Sequence, residues 1–154
     1  MSFNPNLQRY VIASLSRILE PVLDTQTYEF WVESIDFDES EILKKDNAVL
    51  RIVGPDWMPG SGVDIYRFEV VVLFTDLLSH NGNAYSLITA AGKVAETLAN
   101  PIPVQEWGNG ESLLGCLDLD PQADEPIRLV SYGVIDKDTR VKQQSVIAKY
   151  EIRL

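Results

Sequence analysis

Nucleophilic or proton-transfer chemistry in this chain would have to begin at His80 or Cys116, its one histidine and its one cysteine. His80 lies in Ser79-His80-Asn81-Gly82, a polar turn sequence with no partner suggested around it. It therefore reads as a solvated turn residue ahead of a general base. A serine nucleophile of the Gly-x-Ser-x-Gly type is absent, and the nearest approach, Gly60-Ser61-Gly62, has the spacing of a flexible loop. Asp118, Asp120, Asp124 and Glu125 supply oxygen atoms of the kind that bind calcium or magnesium. Their spacing lacks the loop glycine and terminal glutamate of a calcium hand. A small metal-dependent enzyme using Asp118, Asp120 and Asp124 stands as an alternative reading on these residues. One cysteine and one histidine do not make a structural zinc site, and neither Gly-x-Gly-x-x-Gly nor a Walker lysine loop occurs. The residue chemistry argues for a protein that is not an enzyme and carries no cofactor.

Charge is distributed unevenly. Glu29, Glu33, Asp36, Asp38, Glu39 and Glu41 follow one another with no basic residue before Lys44. Seven more acids, Glu96 to Glu125, lie between Lys93 and Arg128, again without compensation, whereas Arg128 to Arg153 hold six of the thirteen basic residues. Such segments serve as solvated surface, as faces that meet between subunits, or as the wall of a passage that repels a phosphate backbone. Two aromatic segments are the other candidates for contact. Trp57 and Met58 sit in Gly54-Pro55-Asp56-Trp57-Met58-Pro59-Gly60, which reads as a loop, and Trp107 precedes Gly108-Asn109-Gly110. Tryptophan is enriched at interface anchors, but a ring on a loop also caps a core, and both readings stand for these residues. The candidate interface set is Trp57, Met58, Trp107, Glu29, Glu33, Glu39 and Glu41.

The whole composition bounds the class. At 154 residues the chain fits a single domain, 1–154, able to bury about two-thirds of its unfolded surface without a disulfide. A formal charge of −10 disfavours binding to nucleic acid or to an anionic membrane surface. One cysteine suits a reducing compartment. The first residues carry no signal-peptide pattern, and no apolar run approaches a membrane span, so the expectation is a soluble chain made in the cytoplasm of its producing cell.

The elements that must position these residues follow from periodicity. Leu7, Tyr10, Val11, Leu15, Ile18, Leu19 and Val22 recur at helical spacing and predict a helix from Pro5 to Glu20, capped by Asn4. Strands are predicted over Tyr28–Phe37, Ala48–Val53 and Ile65–Phe74, the last of them central, with Gly54-Pro55 ending the second and a loop running to Gly62. A second one-sided helix spans Ala84 to Ala99, closed by Asn100-Pro101. Further strands are expected at Ile102–Val104, Leu113–Leu119, Ile127–Ile135 and Ser145–Leu154, the last two joined as a hairpin through Asp136-Lys137-Asp138-Thr139. The fold class expected is α+β, with a mostly antiparallel sheet and two amphipathic helices packed on one face.

This order is an N-terminal amphipathic helix, an acidic strand region, the Gly54–Gly62 loop, a central strand, an alanine-rich helix and a strand-rich tail. It resembles the tail terminator, or tail-completion and neck, proteins of tailed bacteriophages. The resemblance covers almost the whole chain, as an order of elements without a diagnostic motif. It implies a structural virion protein of the tail or neck, assembled in the host cytoplasm. Its partners would be itself, as a homohexameric ring, the tail tube protein and the head connector or stopper. Such a ring caps the head-proximal end of the tube, stops its polymerisation and joins it to the head, and DNA passes through the lumen without specific binding. A head–tail adaptor or minor tail subunit is the neighbouring alternative. The family has no catalytic residues to carry over.

Overall fold

The computed structural model describes residues 3–23, 28–32, 47–60, 62–77, 84–136 and 141–154. Helix α1, Leu7–Leu19, buries Leu7, Tyr10, Val11, Ser14, Leu15 and Leu19 along one stripe. It begins later than the sequence predicts, and Asn4 is not its cap. The Asn4 side-chain oxygen instead accepts the Asn6 N–H at 3.0 Å, and the Asn4 carbonyl accepts the Leu7 N–H. That local turn uses up the asparagine and Pro5 before helical geometry starts. Pro21 lies just past the end, where its missing N–H costs no helical bond.

Seven strands form a curled sheet in the order β1-β2-β3-β7-β5-β4, with β6 paired to β7 off that path. They are β1 Glu29–Val32, β2 Asn47–Pro59, β3 Asp64–Leu77, β4 Ile102–Gln105, β5 Leu113–Leu119, β6 Ile127–Asp136 and β7 Val141–Arg153. Helix α2, Ala84–Leu98, lies between β3 and β4 in the chain. The class is α+β, but the sheet is mixed and the expectation of a mostly antiparallel one is corrected: β1 runs parallel to β2. Parallel neighbours need a long crossover, and residues 33–46 are long enough to make one.

Strand β2 overturns a second expectation. Gly54-Pro55 does not end it, and the pairing with β3 resumes at Asp56 and continues to Pro59. A register shift between Val53 and Asp56 takes up the two residues, so the proline without an N–H sits where the ladder is already interrupted. Gly54 is required there: its φ is +112°, and a Cβ would lie 2.7 Å from the Arg67 carbonyl oxygen.

The core follows from the period-two pattern of the central strands. Tyr66, Phe68, Val70, Val72 and Phe74 of β3 are buried, and so are their partners on β7 and, on β2, Ala48 and Leu50, whereas Ile52 is half-buried and Trp57 is exposed. Leu7, Val11, Leu15 and Leu19 of α1 and Leu87, Ala91, Val94 and Leu98 of α2 join the same cluster. Helix α1 contacts β2 and β4, α2 contacts β3, β6 and β7, and the two helices touch. Tyr150, fully buried, donates its hydroxyl to the Leu98 carbonyl at 2.5 Å, capping the last residue of α2. Among the described residues no helix is long and apolar enough to cross a membrane.

Candidate functional site

Because β2 continues, Trp57 and Met58 are strand residues and alternate across it. Trp57 is opposite Tyr66, on the core side, and Met58 is opposite Ile65, on the other side. The pair read from sequence as one contact segment is therefore split between two faces. Trp57 stacks on Tyr66 with centroids 6.3 Å apart and planes 11° apart. Phe3, just before α1, closes edge-on against Trp57 at 5.9 Å and tilts against Tyr66 at 5.7 Å. Tyr66 is buried, whereas Phe3 and Trp57 are 41% and 39% exposed. The three rings form an aromatic surface whose back is anchored in the core. Periodicity could not place Phe3 there, since it precedes the helical pattern.

Trp107 is held inside the fold. It lies in the β4–β5 connection, and its indole Nε1 donates to Ser14 Oγ of α1 at 2.9 Å. The Gln105 N–H donates to the same oxygen at 3.3 Å, and the Arg17 guanidinium stands 3.7 Å over the indole ring. Ser14 is a polar residue on the buried stripe of a helix, and this contact is the reason it is there.

The acidic residues of the metal reading do not converge. Asp118 lies on β5 opposite Glu151, while Asp120 pairs with Arg67 Nε at 3.5 Å and accepts the Gln122 N–H at 2.9 Å. Arg67 also donates to the Gln122 side chain at 2.6 Å. Glu125 turns to Arg128, 3.7 Å away. Among the described residues no group of three or more His, Cys, Asp or Glu could hold a metal ion. Of the candidate acids, Glu29 is exposed on β1, and Glu33, Glu39 and Glu41 lie outside the described residues, as do His80 and Ser61.

Two features were not read from the sequence. An open groove of about 610 Å³ runs between α1 and β1, lined by Ser16, Glu20 and every residue from Tyr28 to Val32. At the far end of the sheet, β6 exposes Leu129 and Tyr132 at 50% each. Tyr132 is the extra residue of a register shift between Ser131 and Gly133, and its hydroxyl meets Ser145 Oγ at 3.2 Å. A hydrophobic strand with half-exposed side chains is legible only once its neighbours are known.

No protein-family model matches the chain, and no curated protein matches it.

Proposed function

We propose that this chain is a structural subunit of the kind that closes into a ring, similar in role to the tail terminators of tailed bacteriophages. The observation that carries the reading is a pair of unlike apolar surfaces at two places on one sheet: Trp57 on β2 with Phe3 against it, and Leu129 and Tyr132 on β6. Strands β2 and β6 are separated by β3 and β7, about 15 Å across the sheet at ordinary strand spacing. Unlike patches at separate places on one subunit join copies head to tail, and head-to-tail contacts generate rings or filaments instead of closed pairs. Exposed aromatic residues backed by a rigid core are also what a contact surface uses.

In this reading both helices cover the face of the sheet that carries Phe68, Val70 and Val72, and the subunit is a homohexamer. The ring caps the head-proximal end of the tail tube in the virion neck and halts tube growth. It docks on the head connector or stopper and passes DNA without specific contact. Assembly takes place in the host cytoplasm, with no catalytic step.

Native mass spectrometry of the purified chain over a wide concentration range tests the ring. A discrete closed assembly, above all a hexamer, supports it, and electron microscopy of that assembly with tail tubes tests the position. Trp57→Ala should weaken assembly or tube capping while circular dichroism shows a folded monomer. A variant that is folded, assembled and normal in tail length counts against the Trp57 surface.

A further inference from the structure

Resting on the ring reading, we infer that the outer edge of β6 in one copy pairs with the outer edge of β1 in the next, so that the sheet continues from subunit to subunit. Among the described strands none pairs with either outer edge: the strand partner of β1 is β2, and that of β6 is β7. Open edges of this kind are templates for another strand.

The registers show that the two edges match. Val32 is opposite Leu50, Leu50 opposite Val72, Val72 opposite Val146, and Val146 opposite Leu129. The next rows run in the same way from Trp31 to Val130 and from Phe30 to Ser131. Strands β1 and β6 thus stand at the same level at the two ends of one five-strand row. A second copy brought to that edge and rotated to continue the twist of the sheet meets it without a residue offset. Strand β1 is parallel to β2, and three antiparallel steps separate β2 from β6, so β6 runs opposite to β1. The new pair is antiparallel, the more stable arrangement.

Side-chain alternation matches as well. Leu129 arrives beside Val32 on the core side, at the groove that α1 leaves open along β1, and Val130 arrives beside Trp31 on the other side. The half-exposed Leu129 and the 40%-exposed Trp31 each gain an apolar neighbour. Three of the four residues of β1, Phe30, Trp31 and Val32, fall on the regular stretch Ile127–Ser131, and the row of Glu29 reaches Gly133, just past the register shift at Tyr132. Charge favours a second copy as the occupant over an unrelated peptide. The edge strand β1 carries Glu29 and no base, and the matching stretch Ile127–Ser131 of β6 carries Arg128 and no acid. Each copy offers one edge of each kind, as a closed head-to-tail ring requires.

The test is a disulfide trap in the full chain with Cys116→Ser. Trp31→Cys and Val130→Cys together, under mild oxidation, are expected to give a ladder of covalent oligomers ending at the size of the native assembly. Neither single variant should give more than trace dimer. Leu129→Lys, at an exposed position, should raise the concentration for half-assembly at least tenfold while near-UV circular dichroism stays native. A discrete ring in native mass spectrometry without the ladder, or with Leu129→Lys assembling as before, overturns this interface and leaves the ring reading standing. Efficient dimer from Val130→Cys alone overturns it in favour of β6 pairing with itself. A monomer at all concentrations with no ladder overturns both.

Discussion

Replacing Ser14 with alanine removes one hydroxyl that serves two donors. Ser14 is 2% exposed, and its Oγ accepts Trp107 Nε1–H at 2.9 Å and Gln105 N–H at 3.3 Å. A hydrogen bond contributes about 0.5–1.5 kcal/mol net, and a stranded buried donor costs more. The longer bond is the weaker, and half-buried Trp107 can turn its N–H toward water, so the expected loss is about 2 kcal/mol. For a chain of this length each kcal/mol lowers Tm by roughly 2–4 °C, which gives a drop of about 4–8 °C. Urea unfolding followed by far-UV circular dichroism should show a lower midpoint at an unchanged slope. Arg17→Met, which removes the cation 3.7 Å over the same indole, should cost a further ~0.5–1 kcal/mol at that exposed position. Because this latch joins α1 to the β4–β5 connection within one chain, the Ser14→Ala protein should self-associate like the parent at 25 °C. A loss under about 0.5 kcal/mol would refute the latch. A folded Ser14→Ala protein that fails to assemble would instead make Trp107 a subunit contact.

Gly54→Ala should cost about 2 kcal/mol or more in thermal unfolding, because the new methyl meets the Arg67 carbonyl at 2.7 Å in a backbone with φ of +112°. The same change at Gly62, also at positive φ but with open space around it, should cost less, and equal losses would remove the steric argument. Tyr150→Phe strands the Leu98 carbonyl and should cost about 1–3 kcal/mol. Burial pushes the Tyr150 phenol well above its ordinary range. Above pH ~10 the unfolded chain releases that proton and the folded one keeps it, so stability falls by about 1.4 kcal/mol per pH unit. Tyr150→Phe should flatten that alkaline limb by one proton, and an unchanged slope would show that other groups govern it. Millimolar calcium or magnesium should leave Tm within about 1 °C of the metal-free value, since Asp120 is engaged by Arg67. A clear rise lost in Asp120→Ala would restore the metal reading.

Much of the fold was legible in one dimension, because burial on one side imposes a period. The stripe Leu7–Leu19 and the alanine-rich repeat of Ala84–Leu98 are helices for that reason, and the apolar run of β3 lies between β2 and β7 as its composition required. Gly-Pro, in contrast, punctuates a sequence whether the strand ends there or is only interrupted. What lets β2 resume at Asp56 is its register with β3, including the close approach of the Gly54 backbone to Arg67. That register decided which faces Trp57 and Met58 occupy. The sign of the pairing at β1 was hidden too, because direction within a sheet depends on how a connection crosses it, and local composition carries no record of that. Ser14 shows the limit most plainly: as a serine on an apolar stripe it had no partner in its own helix, and its partners, Gln105 and Trp107, are more than ninety residues away. Contact partners remote in sequence are chosen by packing. Residue type and spacing by themselves determined where most of the elements lie and the uneven charge, and the tertiary structure alone decided that β1 and β6 stand at one level at the two ends of a five-strand row.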